Sequence, residues 1–596
     1  MSRRVRRSCR MAVVTAAVAS LGLVAASCAG HRKACIALAV RIDEPPRPLA
    51  DDARRPPPEW RVLATSADFE EAGEARDIAR PPDRLILLAP RDLTPEDEKR
   101  WMEERVPYGR YEYRVEALDV VEDSPALADL PVGDPAALPG NAEWSHQLIN
   151  YDAALAALDD ERVRTHRPRL AEAPAGSGVV IGHPDTGHTF HHALGRFRFG
   201  PAFSDAPPTP LRPREGYGFR DCNCNTFDLE LSGLTAGLRD PGHGTSTSSV
   251  IVGPYARSDD NPRSLKMRGI APGARLIPLR TATGVIIGEA RAFQLAMAVH
   301  HASHPAPAAA EEAEAEWADQ CIRQRETCRR GEIGGGSCSL TMEAAHVISI
   351  SMGGPPKLIR RAMDDLANAV RGAERNGVIV VAAAGQTSDN VAAKAIVKAL
   401  HGSGVVYPAA FDGTIAAAAC NIRGRPWAAS FRGTEVDITA PGEGVWTAKF
   451  RRSGDSAEPI VAPGKGTSFA TAIVAGVAAL WLDYHGRDAL VAKYGTPAVL
   501  PSAFKWVLVN HGFNTPDELC TLARGQGLAY AGALCDASAE GWDTRRFGPG
   551  VLDVRKVLTT PLPDKDQLCR FVRGGIGPDG RWRRTPADAA FICPAP

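Results

Sequence analysis

At 596 residues the chain has room for one large globular domain with flanking segments. Hydrophobic residues make up 44% and charged residues 23%, and 70 basic residues balance 70 acidic ones. That balance gives no reason to expect nucleic acid or a strongly acidic surface as partner.

At the N-terminus, Arg3, Arg4, Arg6 and Arg7 precede an uncharged stretch, residues 11–27 (MAVVTAAVASLGLVAAS). It is shorter than the about 20 residues of a membrane span, and the small residues Ala25, Ala26 and Ser27 close it. Residues 1–27 therefore read as a signal peptide for export. Cys28 follows at once, where a lipobox cysteine would be acylated. Lipid attachment at Cys28 and plain signal cleavage near it both fit the pattern, so the product is either an envelope lipoprotein or a secreted protein. Export permits disulfides. With Cys9 in the signal and Cys28 set aside, 11 of the 13 cysteines remain, an odd number that leaves at least one unpaired. Cys222 and Cys224 form a lone C-x-C, too few ligands for structural zinc.

Residues 28–80 are rich in Pro, Arg and Asp and read as a tether or linker. Residues 81–140 predict a small unit: a strand at Arg84–Pro90, a helix over Thr94–Val106 with Thr94 as N-cap and Pro95 behind it, and a strand at Tyr111–Val120. Such a unit ahead of a larger domain is either propeptide-like or a stalk. Over residues 141–560 short apolar runs alternate with helical patterns. Strands are predicted at Gly178–Ile181, Leu276–Leu279, Val347–Ile350, Val378–Ala383 and Thr414–Ala419, and helices at Glu289–His301, Lys357–Asn376 and Ser468–Tyr484. This alternation predicts an α/β fold, a doubly wound, mostly parallel sheet with helices on both faces. Residues 302–342 read as an inserted loop and 561–596 as a C-terminal tail.

Three segments carry chemistry. Asp185 lies in HPDTG, His243 in DPGHGTSTS and Ser468 in GKGTSFATAIVAGVAALW. Singly, each has a common structural reading: a turn aspartate, a loop histidine, a helix N-cap serine. In the chain order Asp, His, Ser they match one known solution of the nucleophilic triad. Ser468 opens an apolar helix, whose dipole and free N–H groups favour developing negative charge. Gly242 and Gly244 leave the His243 imidazole room to reach a hydroxyl. Asp185, at a strand's carboxyl end, would hold that imidazole in one tautomer.

These motifs resemble the three active-site motifs of the subtilisin-like serine proteases. Six further segments agree in order: GIAPGARLIPLR (269–280), ISISMGG (348–354), NGVIVVAAAGQ (376–386), YPAAFDGTIAAAAC (407–420), ASFRGTEVDITAPGEGVWTA (429–448) and FGPGVLDVRKVL (547–558). The resemblance covers residues 141–560 and implies an exported serine endopeptidase that works through an acyl-enzyme. It also implies that Ser351, Met352 and Gly353 pair with extended peptide. At the oxyanion-hole position the family has Asn and this chain has Gln386, the same carboxamide on one more methylene. The family often binds calcium. Asp221, Asn223, Asn225 and Asp228 offer oxygens, but not in an EF-hand pattern, and no metal or other cofactor is assigned. Protein or peptide substrates are the expected partners, with membrane contact only through a lipid at Cys28. Two other readings share these motifs: a peptide-binding homologue with weak or no catalysis, and a peptide cyclase or ligase.

Overall fold

The computed structural model describes most of residues 143–188, 242–253, 268–304, 344–387, 404–538 and 542–573, with four N-terminal strands and a few further residues. The expected helix over Thr94–Val106, Cys28, residues 305–342 of the expected insertion and the four oxygen-bearing residues between 221 and 228 lie outside the described residues. Residues 302 and 303, expected to open that loop, are instead the buried last turn of a helix.

The chain divides into two units. Residues 1–122, with 198–204 and 451–458, form the first. It contains strands β1 (Ile36–Val40), β2 (Trp60–Thr65), β3 (Leu85–Pro90) and β4 (Tyr113–Val115), joined as an antiparallel sheet in the order β2-β3-β1-β4. β3 and β4 fall within the two strands expected there. β1 and β2 fall within residues 28–80, where composition suggested only a tether.

The second unit is built on an eight-stranded sheet. Its strands are β5 (Val180–Asp185), β6 (Arg275–Arg280), β7 (Val347–Ile350), β8 (Ile379–Ala383), β9 (Thr414–Cys420), β10 (Ile438–Pro441), β13 (Phe513–Asn514) and β14 (Val551–Leu552). The order is β13-β14-β10-β9-β8-β7-β5-β6, parallel throughout except β13. A separate two-stranded sheet pairs β11 (Glu443–Ser453) with β12 (Ser456–Lys465). The apolar runs are buried on both faces, as parallel strands require. Val180, Ile348, Ile350, Val380, Ala382, Ala416 and Ala418 share a core with helices α4 (Glu289–Ser303) and α5 (Met363–Arg375). The opposite face carries α6 (Thr467–His485), which packs on β7 to β10 and on α3 (His243–Val252). By composition α6 is long and apolar enough to cross a membrane, but it is the buried central helix of this unit.

Two boundaries differ from expectation. β5 runs on to Asp185 itself, through Pro184. Val179 O accepts from Arg275 N at the start of β6 and Asp185 O from Thr281 N just after its end, so odd-numbered residues bond toward β6 and Pro184 faces β7. Pairing with β7 involves only Ile181 and Gly182, so the missing N–H of Pro184 breaks no ladder bond. The helix expected from Lys357 begins at Met363. The Arg361 N–H is held by Glu289 Oε1 at 2.7 Å, and turns occupy the residues before it.

The segment before β5 belongs to the same unit. Helices α1 (Trp144–Leu148) and α2 (Tyr151–Arg164) are anchored by Trp144 Nε1 to Gly444 O (2.8 Å) and Tyr151 Oη to Ile270 O (2.6 Å). Near the C-terminus, α7 (Leu500–Asn510) packs on β8, and Cys520–Cys535 joins α8 (Pro516–Gly525) to α9 (Ala531–Ser538). Cys569–Cys593 is a second disulfide, and Cys420 is a buried free thiol.

Candidate active site

Strand order reverses around β5: β6 lies on one side of it, β7 and its successors on the other. In open α/β sheets the crevice beyond the strand carboxyl ends at such a point is where sites form. Asp185 ends β5 there, and Ser351 directly follows β7.

His243 is the first residue of α3, and its Nδ1 lies 2.7 Å from Asp185 Oδ1. A close backbone approach makes this contact. A Cβ on Gly244 would stand 1.9 Å from Gly187 O, so only glycine lets α3 start against the loop after Asp185. The Gly244 N–H also donates to Thr186 Oγ1 at 3.1 Å. Asp185 is fully buried. Burial pushes its carboxyl up, but adjacent His243 and the N–H of Thr186 (2.7 Å from Oδ1) hold it below the usual carboxylate range.

Ser468 is the second residue of α6, where the backbone N–H has no intrahelical partner. Its hydroxyl donates to Ser351 O at 3.2 Å, and the Ser351 hydroxyl donates back to Ser468 O at 3.1 Å. Gln386 lies beside this turn. Its Oε1 accepts from Thr467 N (2.7 Å) and Thr467 Oγ1 (3.3 Å), which turns Nε2 the other way. Its backbone bridges to Ser430, and Gly385 before it has φ 97°. A Cβ on Gly385 would stand 2.5 Å from the Phe431 ring.

Ser468, Gln386 and Met352 border a small cavity of about 50 Å³ with Val406, Phe431 and Ile286. Its walls are mostly apolar. Ser351, Met352 and Gly353 thus lie at the site, but Gly353 departs from expectation. Its N–H donates to Val285 O (2.9 Å) and its carbonyl accepts from Ile287 N (3.0 Å). The backbone groups expected to take a peptide strand at Gly353 are engaged by the protein's own segment 285–287, which covers one side of the cavity.

A second histidine, to which the sequence alone assigns no role, stands in the same HPDTG motif. His183 is buried, with Nε2 3.0 Å from Thr247 Oγ1 and 3.5 Å from Asp185 Oδ2, and Nδ1 3.4 Å from Ser248 Oγ. The available signal was period two along a strand, which puts residues 183 and 185 on one face. Val285, Ile286, Val406 and Phe431 come from distant segments and carried no such signal. Among the described residues no group of three or more His, Cys, Asp or Glu could hold a metal.

The sequence model of the subtilase family matches residues 176–510, more than half of the chain. An extracellular protease of Xanthomonas campestris pv. campestris is 27% identical over 63% of this chain and 54% of its own length. The major intracellular serine protease of Bacillus subtilis is 30% identical over 30% of this chain and 54% of its own. The chain thus spans about half the length of these curated relatives. Solved structures with similarity include MycP1 with its N-terminal propeptide removed (20% identity, 71% of this chain, 98% of that one, TM-score 0.38). Another is the epidermin leader peptide processing serine protease of Staphylococcus aureus (18%, 70% and 81%, TM-score 0.39).

Proposed function

Since the chain belongs to the subtilase family, we propose that it is a serine endopeptidase with Asp185, His243 and Ser468 as its triad. The observation that carries this is the 2.7 Å contact between His243 Nδ1 and Asp185 Oδ1, residues 58 apart in sequence. With Nδ1–H donated to the carboxylate, Nε2 is left as the base. It takes the Ser468 proton as Oγ leaves Ser351 O and attacks the substrate carbonyl. His243 then returns that proton to the leaving amine, and water repeats the sequence on the acyl-enzyme. The oxyanion would rest on the Ser468 N–H and on Gln386 Nε2, which is available because Oε1 is tied to Thr467 N.

The small apolar cavity favours a small apolar side chain at the residue before the cleaved bond. Peptide pairing at Gly353 requires the 285–287 segment to exchange its two hydrogen bonds for those of substrate. Export is the reading favoured by the N-terminal pattern and by two disulfides. The name of the Xanthomonas relative, an extracellular protease, agrees with this reading, while that of the Bacillus relative is of an intracellular one.

A serine-directed phosphonate should label the protein at Ser468, and Ser468→Ala should neither label nor cleave casein. Labelling that persists in Ser468→Ala would remove the assignment. Product masses separate hydrolysis from ligation. The intact mass of the mature protein reports where the N-terminus lies and whether Cys28 is acylated.

A further inference from the structure

The side of Asp185 turned away from His243 is also built from polar groups. Thr247 Oγ1 lies 3.2 Å from Asp185 Oδ2, but it also lies 3.1 Å from His243 O and 3.2 Å from Gly244 O. A threonine inside a helix commonly turns its one proton to a carbonyl of the preceding turn. His183 Nε2, 3.0 Å from the same oxygen, decides the matter through its tautomer. With the proton on Nδ1, Nε2 is an acceptor and draws the Thr247 proton to itself. Asp185 Oδ2 then loses that donor inside the core, where an under-satisfied anionic oxygen is costly. With the proton on Nε2, His183 donates to Thr247 Oγ1, and the Thr247 proton is free to go to Asp185 Oδ2. Ser248 Oγ, 3.4 Å from Nδ1, can donate to that nitrogen and hold the tautomer.

We propose that His183 is a positioning residue of the catalytic centre: as the neutral Nε2–H tautomer it turns the Thr247 hydroxyl onto Asp185 Oδ2. This completes a hydrogen-bonded chain from Ser248 through His183, Thr247 and Asp185 to His243. It rests on the triad reading above. Thr247 fixes one carboxylate oxygen while Thr186 N–H and His243 Nδ1–H fix the other, so the carboxylate stays ionised and cannot rotate. The titratable groups facing His183 are Asp185 on its own strand and His243 on α3; its partner across β6 is Pro278. Burial keeps His183 neutral down to about 4, so the chain keeps its charge state across the neutral range.

Nitrogen-15 histidine spectra of the full chain test the tautomer directly, with the His183 signals identified by their loss in His183→Leu. Neutral Nε2–H from pH 8 to pH 5 is expected; Nδ1–H, or an imidazolium near neutrality, overturns the proposal. In kinetics, His183→Leu should lower kcat roughly 10- to 100-fold with KM nearly unchanged, the effect of losing one hydrogen bond to a charged group. Thr247→Val should lose about as much, and the double variant little more. Independent, multiplying losses would mark two packing defects and count against the chain. His183→Gln can present an N–H near the position of Nε2–H and should recover most of the rate. If His183→Leu does not fold, the His183 signals are identified instead by their loss in His183→Gln, and the spectra of the parent protein still decide. Failure of the triad reading is seen separately, as phosphonate labelling retained in Ser468→Ala.

Discussion

Gln386 concentrates the question of how this site differs from its family. The extra methylene moves a carboxamide by on the order of 1.5 Å, while an oxyanion donor must sit about 2.7–3.1 Å from its target. On the proposed function, the side chain would absorb the difference by bonding backward: Oε1 is tied to Thr467 N at 2.7 Å, next to Ser468. Gln386→Ala should lower kcat about 10²- to 10³-fold and change KM little, because the donated bond forms chiefly in the transition state. Gln386→Glu keeps the acceptor for Thr467 and removes the donor, so it should be at least as slow. Steady-state kinetics on a chromogenic peptide measures both. Parental turnover in Gln386→Ala would mean that another group holds the oxyanion.

Among the elements, α6 does two jobs at its two ends. Its N-terminus presents Ser468, and near its C-terminus Asp483 binds the segment that precedes β5. Arg162 reaches Asp483 with Nε at 3.3 Å and Nη2 at 2.5 Å, and Gly176 N donates to Oδ2 at 2.8 Å. Both charged side chains are almost fully buried, at 3% and 4% exposure. Removing one partner of such a pair leaves the other charge stranded in the core. Asp483→Ala is therefore expected to lower unfolding stability by about 3–5 kcal/mol in urea titration. Fifteen residues of helix separate it from Ser468, roughly 22 Å at 1.5 Å per residue, so turnover per folded molecule should hold. A stability within 1 kcal/mol of the parent, on the order of a surface pair, would show that the latch contributes little.

For the whole molecule, buried histidines set the acid limit. Burial is the main cause of a lowered pKa at His183, His346 and His485, each to about 4, and at His146 and His301, each to about 3. In the unfolded chain each titrates near 6.5. Between these values the unfolded state binds more protons, so stability is full above about pH 6.5 and falls as pH drops toward 4. A fully buried histidine contributes up to about 1.4 kcal/mol per pH unit in that window, a partly exposed one less. Asp185, held low, acts in the same direction but in a lower window: its contribution is lost only as pH falls below the usual carboxylate range. Tm should therefore drop steeply between pH 6.5 and 4.5. A flat Tm over that interval would show that these histidines are not neutral and buried as described.

Much of this was written locally in the chain. Short, mainly apolar runs marked β7, β8 and β9 because a strand buried on both faces shows no regular polar alternation. The placement of Asp185, His243 and Ser468 at the ends of elements was legible because each stands among small residues at such an end, a pattern that short windows record. Even the one departure, Gln386, was visible as a residue type. What its amide does was not, because the Thr467 N–H that orients it comes from 81 residues away. Tertiary structure alone decided the rest. Pairing of segment 285–287 with Gly353 depends on two loops meeting beyond the sheet, and the hold of Arg162 on Asp483 spans 321 residues. His183 became meaningful only when α3 brought Thr247 and Ser248 against it. Residue types and periodicity specify which elements form and what chemistry they carry. Hydrogen-bond direction, tautomer and occupancy of a groove are properties of contacts, and contacts exist only once the sheet has assembled.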